Sequence, residues 1–158
     1  MPQILNGVSK WNTADSYSWD VGDYRHALGN WNFTADTGAQ GTYTLFRVTG
    51  SIYIFQIIGI CNVSLDSGGA GTVEVGIAGN TASLIAQTLA TNVDANYQWQ
   101  DAAPEANPGI TTLLNKSFTL MAGADIILTI ATANLTAGDI DFSVWWMPQS
   151  KDGNCVGL

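Results

Sequence analysis

Charge is scarce in this chain. Lys and Arg number 5 among 158 residues against 13 Asp and Glu, a net charge of −8. Charged residues make up 11% of the sequence, where about 25% is ordinary. Nothing clusters the few cations, and a nucleic-acid-binding protein needs a basic stripe to neutralise phosphates, so neither DNA nor RNA is expected as a partner. Histidine occurs once, as His26, with no Cys, His or acid at metal-ligand spacing beside it. Cysteine occurs twice, as Cys61 inside a predicted strand and Cys155 near the C-terminus, a spacing that fits no zinc or redox motif. Two free thiols are expected, one buried and one on a loose tail.

Long hydrophobic runs are also missing. The longest, Ile52 to Cys61, is interrupted by Gln56 and falls far short of the ~20 residues that span a bilayer as a helix. The first residues, Met1 to Gly7, carry neither a basic region nor an apolar core of signal-peptide length, so no secretory signal and no membrane are expected, with synthesis in a host cytoplasm. Carboxylates are present but dispersed. Asp66, Asp125, Asp139 and Asp152 fall in predicted turns, where Asp bonds local backbone amides. Glu74 alone is a strand acid with apolar neighbours on both sides, and a glycosidase needs two converging carboxyl groups. No catalytic, cofactor-binding or metal-binding residue is therefore assigned.

What the chain does have is β-sheet patterning. Ile52, Ile54, Gln56, Ile58 and Ile60 alternate with Tyr53, Phe55, Ile57, Gly59 and Cys61, apolar on both faces, as in a central strand covered on both sides. Val73, Val75 and Ile77 alternate with Glu74 and Gly76 as in a half-buried strand. Further strands are predicted at Phe46–Thr49, Ser83–Leu89, Tyr97–Gln100, Thr111–Leu120, Ile126–Ala131 and Ile140–Trp146, with turns at 66–71, Gly79-Asn80, 121–124 and 137–139 and a Pro-rich surface loop over 101–109. Ala82 to Thr91 is the one segment with some helical character. About eight strands joined by short turns around one core predict an all-β, jelly-roll-like antiparallel sandwich.

The first forty residues have a different texture. Trp11, Tyr17, Trp19, Tyr24 and Trp31 are scattered among Ser, Asn, Asp and Gly with no sustained period of 2 or 3.6. A disordered tail is normally poor in aromatics, so residues 1–40 are expected to be an arm lying on its own sandwich, a neighbouring copy or a larger scaffold, and residues 41–158 the β domain. Those five aromatic residues are the candidate partner-binding set, since aromatic anchors carry much of the energy of protein interfaces.

The succession Leu45-Phe-Arg-Val-Thr-Gly50, Val73-Glu-Val-Gly-Ile-Ala-Gly-Asn80, Ser83-Leu-Ile-Ala-Gln87, Trp99-Gln-Asp101, Ala137-Gly-Asp-Ile-Asp141 and Trp145-Trp-Met-Pro-Gln-Ser-Lys-Asp-Gly153 resembles the small β-rich virion proteins of tailed bacteriophages. The resemblance covers residues 44–153 in order and spacing and leaves the arm outside; Gln149 and Lys151 depart from the closing motif. It implies a non-catalytic capsid decoration, auxiliary capsid or head-fibre subunit on the capsid surface, assembling as a homotrimer and contacting the major capsid protein or other virion subunits. The competing reading comes from the six Trp: aromatic rings stack on flat apolar groups, sugar rings included, which makes a host-surface or carbohydrate-binding subunit the alternative. Against it, Trp99, Trp145 and Trp146 are expected in the core or an interface, and Trp11, Trp19 and Trp31 as anchors of the arm.

Overall fold

A computed structural model describes residues 24–106 and 124–158, together with the backbone of three short strands, β1 (Gln3–Leu5), β2 (Val8–Lys10) and β9 (Phe118–Leu120). The remaining strands are β3 (Arg25–Asn32), β4 (Gly41–Thr49), β5 (Ile52–Ser67), β6 (Thr72–Ile77), β7 (Asn80–Leu89), β8 (Gln98–Trp99), β10 (Ile126–Ala131), β11 (Leu135–Pro148) and β12 (Asn154–Gly157). Among the described residues helix is confined to one turn, α1 (Phe33–Asp36), and a 3₁₀ turn at Ala90–Asn92.

Two sheets form a sandwich. One has the order β12-β4-β10-β6-β7; the other has β3-β11-β5-β8, with β9 also paired to β5. Apart from the β6–β7 hairpin and the consecutive strands β8 and β9, which both pair with β5, successive strands from β3 to β12 cross from one sheet to the other, the jelly-roll pattern of Greek-key crossings. All pairings are antiparallel. The apolar positions read from period-2 alternation meet in one core. Phe46, Val73, Val75, Ile85, Ile126 and Leu128 come from the first sheet, and Ile52, Ile54, Trp99, Ile140, Phe142 and Val144 from the second. At Gly59 a Cβ would press on the Ile140 and Phe142 side chains, so the missing side chain is what lets those residues fill the middle of the core.

Several boundaries differ from the sequence reading. β3 and α1 lie within residues assigned to the arm, yet β3 pairs along its full length with β11, from Asp139↔Asn32 to Trp146↔Arg25. Its short apolar set, Ala27, Trp31 and the side-chain-free Gly29, hides a strand pattern that only its partner completes. The turn expected at 137–139 is instead a stretch of irregular register inside β11. The chain reverses earlier, at Thr132–Asn134, where Thr132 has φ 70°. Gly138 has φ +144°, and a Cβ there would collide with Leu65 and the Trp31 ring, so its glycine marks a bulge and not a turn. Residues 83–89 are strand as predicted, within β7 paired to β6, and the helical alternative over Ala82–Thr91 is not adopted beyond the 3₁₀ turn at its end. Cys155 is not on a loose tail: β12 pairs with β4 and buries it. The expected strand over Thr111–Leu120 is described only at β9, and the turn at 121–124 and the end of the 101–109 loop lie largely outside the described residues.

Candidate functional site

Burial is uneven on the two faces of the β3–β11–β5 layer. Its inner face is core. Its outer face is also apolar, and among the described residues it is only partly covered. The register aligns side chains of the three strands in rows: Asn30, Asp141 and Ile60; Leu28, Ser143 and Ile58; His26, Trp145 and Gln56. Leu28 is 64% exposed, Ile60 41% and Val63 51%. The expectation that both faces of β5 are covered therefore holds for one face among the described residues.

One end of this face is aromatic. The Tyr24 ring lies 4.8 Å from Phe55, and Phe55 lies 4.9 Å from Tyr53. Next to them the His26 and Trp145 rings stack at 4.8 Å. A bulge in β5 opposite Trp145/Trp146 turns Phe55 and Gln56 outward together. Arg25 sits at the rim with its guanidinium 5.4 Å from the centroid of the buried Trp146 ring.

The other end is polar. The Asn30 amide donates to Asp139 and to Asp141, each at 2.8 Å, and the Asn62 amide donates to the second oxygen of Asp141 at 2.8 Å. Asp139 and Asp141 project from the same side of β11, two residues apart, and the amides clasp them into a small acidic patch. This removes Asp139 from the predicted turn set. Asp66, Asp125 and Asp152 do bond locally or cap backbone, accepting from the Ser67 N–H, the Val48 N–H and the Ser150 hydroxyl respectively. The Ser150 hydroxyl is the leading cause that holds the Asp152 carboxyl below its ordinary value.

Glu74 lies on the opposite sheet, 8% exposed, where it accepts from the Thr81 hydroxyl and the Gln87 amide. Those partners sit on β7, folded over the outer face of β6, which explains why a strand acid is buried away from the core. Among the described residues no group of three or more His, Cys, Asp or Glu is placed to hold a metal ion. Both cysteines are free thiols. Burial is the main cause pushing Cys61 up to about 11 and Cys155 up to about 12, so neither is a thiolate nucleophile near neutrality. Among the described residues no helix is long and apolar enough to cross a membrane, which leaves strands untested.

Of the five aromatic residues singled out for partner binding, Trp11, Tyr17 and Trp19 lie outside the described residues. Tyr24 is 67% exposed on the aromatic end of the outer face. Trp31 is a correction: at 1% exposure it is a core side chain of β3, packed edge-on to Tyr43. Among the later tryptophans, Trp99 and Trp146 are core residues, while Trp145 stands on the outer face. Sequence reasoning missed Leu28, Phe55, Ile58 and Ile60 as a surface; the two-sided apolar pattern of β5 carried the signal, but periodicity does not say which face meets water.

No protein-family model matches the chain, and no curated protein matches it. Among solved structures, the chain is similar to one from the acidic stable capsid structure of Helicobacter pylori bacteriophage KHP30, with 13% identity and a TM-score of 0.47 over 85% of this chain and 94% of that chain.

Proposed function

We propose that this chain is a non-catalytic structural subunit of a bacteriophage virion, a capsid decoration protein that binds the outer shell and stabilises it. The observation that carries this reading is the second apolar face of the sandwich. A protein with so few charges places Tyr24, Leu28, Phe55, Ile58, Ile60 and Trp145 on one outer layer, and contiguous apolar surface of this kind is the signature of a protein–protein contact. The ordered sequence resemblance over residues 44–153 points to the same class. Low content of Lys, Arg and Glu also reduces the side-chain entropy lost when such a surface is covered.

In this reading the subunit self-associates as a homotrimer and meets the major capsid protein or another virion component, with Tyr24 and the arm residues Trp11, Tyr17 and Trp19 as contacts. Closed symmetric assembly protects the short open edges that a sandwich leaves at β3, β12 and β7. The test is co-sedimentation of the purified chain with capsids lacking it, together with native mass measurement. Saturable binding by a threefold oligomer is expected. A monomer that stays in the supernatant at every concentration overturns the reading.

The stacked Trp145–His26 pair on an open face supports the second reading, a carbohydrate-binding subunit of a head fibre or tail appendage. Glycan-array binding that disappears in Trp145→Ala, without capsid binding, selects it.

A further inference from the structure

The outer face of the β3–β11–β5 layer has a direction. Its aromatic end, at Tyr24, Phe55, Tyr53 and Trp145, adjoins the cation Arg25 at the rim; its far end carries the clasped acids Asp139 and Asp141. The chain enters the sandwich at the aromatic end. Tyr24 does not hang off the edge strand β3: its ring is turned inward over Phe55 of β5, across the intervening strand β11.

We propose that the occupant of this face is the chain's own N-terminal segment, residues 1–23, laid back across β11 and β5 from Tyr24. Three properties match. The segment supplies Trp11, Tyr17, Trp19 and Val21, and the face offers Leu28, Ile58, Ile60, Val63 and Trp145, so apolar surface on both sides leaves water together. Charges match at the two ends: Asp20 and Asp23 precede Tyr24 at the end where Arg25 lies, and Lys10, the one Lys or Arg of the segment, is placed beyond Asp15 and within reach of Asp139 and Asp141. The reach is sufficient. From the level of Tyr24 to the acids is roughly 20–26 Å along β11 at ~3.3 Å per residue, and the chain from Tyr24 back to Lys10 extends to roughly 46 Å.

A second copy offers the same chemistry, but it must bring its segment to this face against the entropy of association, whereas the chain's own segment is already tethered there by Tyr24. This inference changes the contact in the virion reading: with the arm over this face, neighbouring subunits meet the outer side of the arm and not the bare apolar layer.

The experiment uses the full chain as an equal mixture of unlabelled and 15N-labelled protein, treated with a carbodiimide that joins an amine to a carboxylate in direct contact. A cross-link from Lys10 to Asp139 or Asp141, with both peptides carrying the same isotope, is expected. Mixed-isotope cross-links in statistical proportion overturn the proposal in favour of a sister copy's arm, and absence of the cross-link overturns it outright. Hydroxyl-radical footprinting supplies an independent arm of the test. Trp145 and Trp19 are expected to be labelled several-fold more slowly than in Leu28→Asn/Ile60→Asn, whose substituted side chains are both exposed; equal labelling in a variant with an unchanged melting curve overturns the proposal. Capsid co-sedimentation is read separately, so failure here and failure of the virion reading are distinguishable.

Discussion

The indole N–H of Trp99 donates to the hydroxyl of Thr88 at 3.0 Å inside the core. Trp99 belongs to the sheet of β3, β11 and β5, and Thr88 to the sheet of β6 and β10, so one hydrogen bond joins the two layers of the sandwich. The Thr88 hydroxyl in turn has the Ala86 and Asp101 carbonyls within reach, at 3.0 and 3.3 Å. Trp31 and Trp146 bury their indole N–H groups with no acceptor among the described residues.

That contrast predicts the cost of losing each indole. Thr88→Val keeps the volume but strands the Trp99 N–H in the core, and should destabilise by about 1–3 kcal/mol, the usual penalty for an unsatisfied buried donor. Trp146→Phe removes a donor that has no acceptor among the described residues, so its cost should come from lost volume and the lost Arg25 contact. Denaturant melts of the single variants and of the Thr88→Val/Trp99→Phe double variant measure the coupling. Additive effects within ~0.3 kcal/mol would mean the bond contributes nothing.

Glycine at positive φ separates strain from crowding. Gly79 has φ +89° with nothing within 4 Å of a built Cβ, whereas Gly138 has φ +144° and a Cβ there would strike Leu65 and Trp31. Gly79→Ala should cost on the order of 1 kcal/mol, the conformational penalty by itself. Gly138→Ala should cost clearly more, since the core on which it intrudes is close-packed. Thermal melts decide, and equal shifts in midpoint would contradict the bulge packing.

The carboxyl of Asp152 is held below its ordinary value by the Ser150 hydroxyl. A group whose folded pKa is lowered contributes stability that is present above its ordinary value and lost as pH falls through the folded one. Ser150→Ala should raise the Asp152 pKa toward the ordinary carboxylate range, seen as a shifted side-chain titration by NMR. The effect on the melting midpoint should be slight, because the group is exposed.

Burial raises both thiols, Cys61 to about 11 and Cys155 to about 12. The sign is the reverse of the Asp152 case. The stabilisation is fully present below the unfolded thiol value near 9.0 and declines above it, as the unfolded chain ionises while the folded one keeps its protons. Near pH 8 both cysteines should react with a thiol reagent no faster than the protein opens, and the rate should rise to that of free cysteine in denaturant. Rapid labelling of either thiol in the native state would contradict the burial of its strand.

Legibility followed how self-sufficient each strand's pattern is. Ile126, Leu128 and Ile130 point inward from β10, and Ile140, Phe142, Val144 and Trp146 from β11, as period-2 alternation requires. β3 escaped because its inward positions are Ala27, Gly29 and Trp31: a glycine and an alanine give almost no hydrophobic signal, although Gly29 is required where Phe46 packs against the strand. β12 escaped because four residues, with Gly157 beside the Leu28 backbone, are too short a window for any period. Asp139 was placed in a turn because Ala-Gly-Asp reads as one locally, while pairing with Val63 and Asn32 on either side holds it in a strand.

Composition and alternation were enough to set the class of this protein, an antiparallel sandwich with a sparse set of charges and one apolar core, because hydrophobic burial acts on every strand through the same two-residue period. Which strands neighbour one another, and hence which of two apolar faces of β5 became core and which became surface, was decided only by long-range pairing. A strand's own residues cannot encode that choice: both faces of β5 are equally ready to leave water, and only the arrival of the opposing sheet on one side breaks the tie.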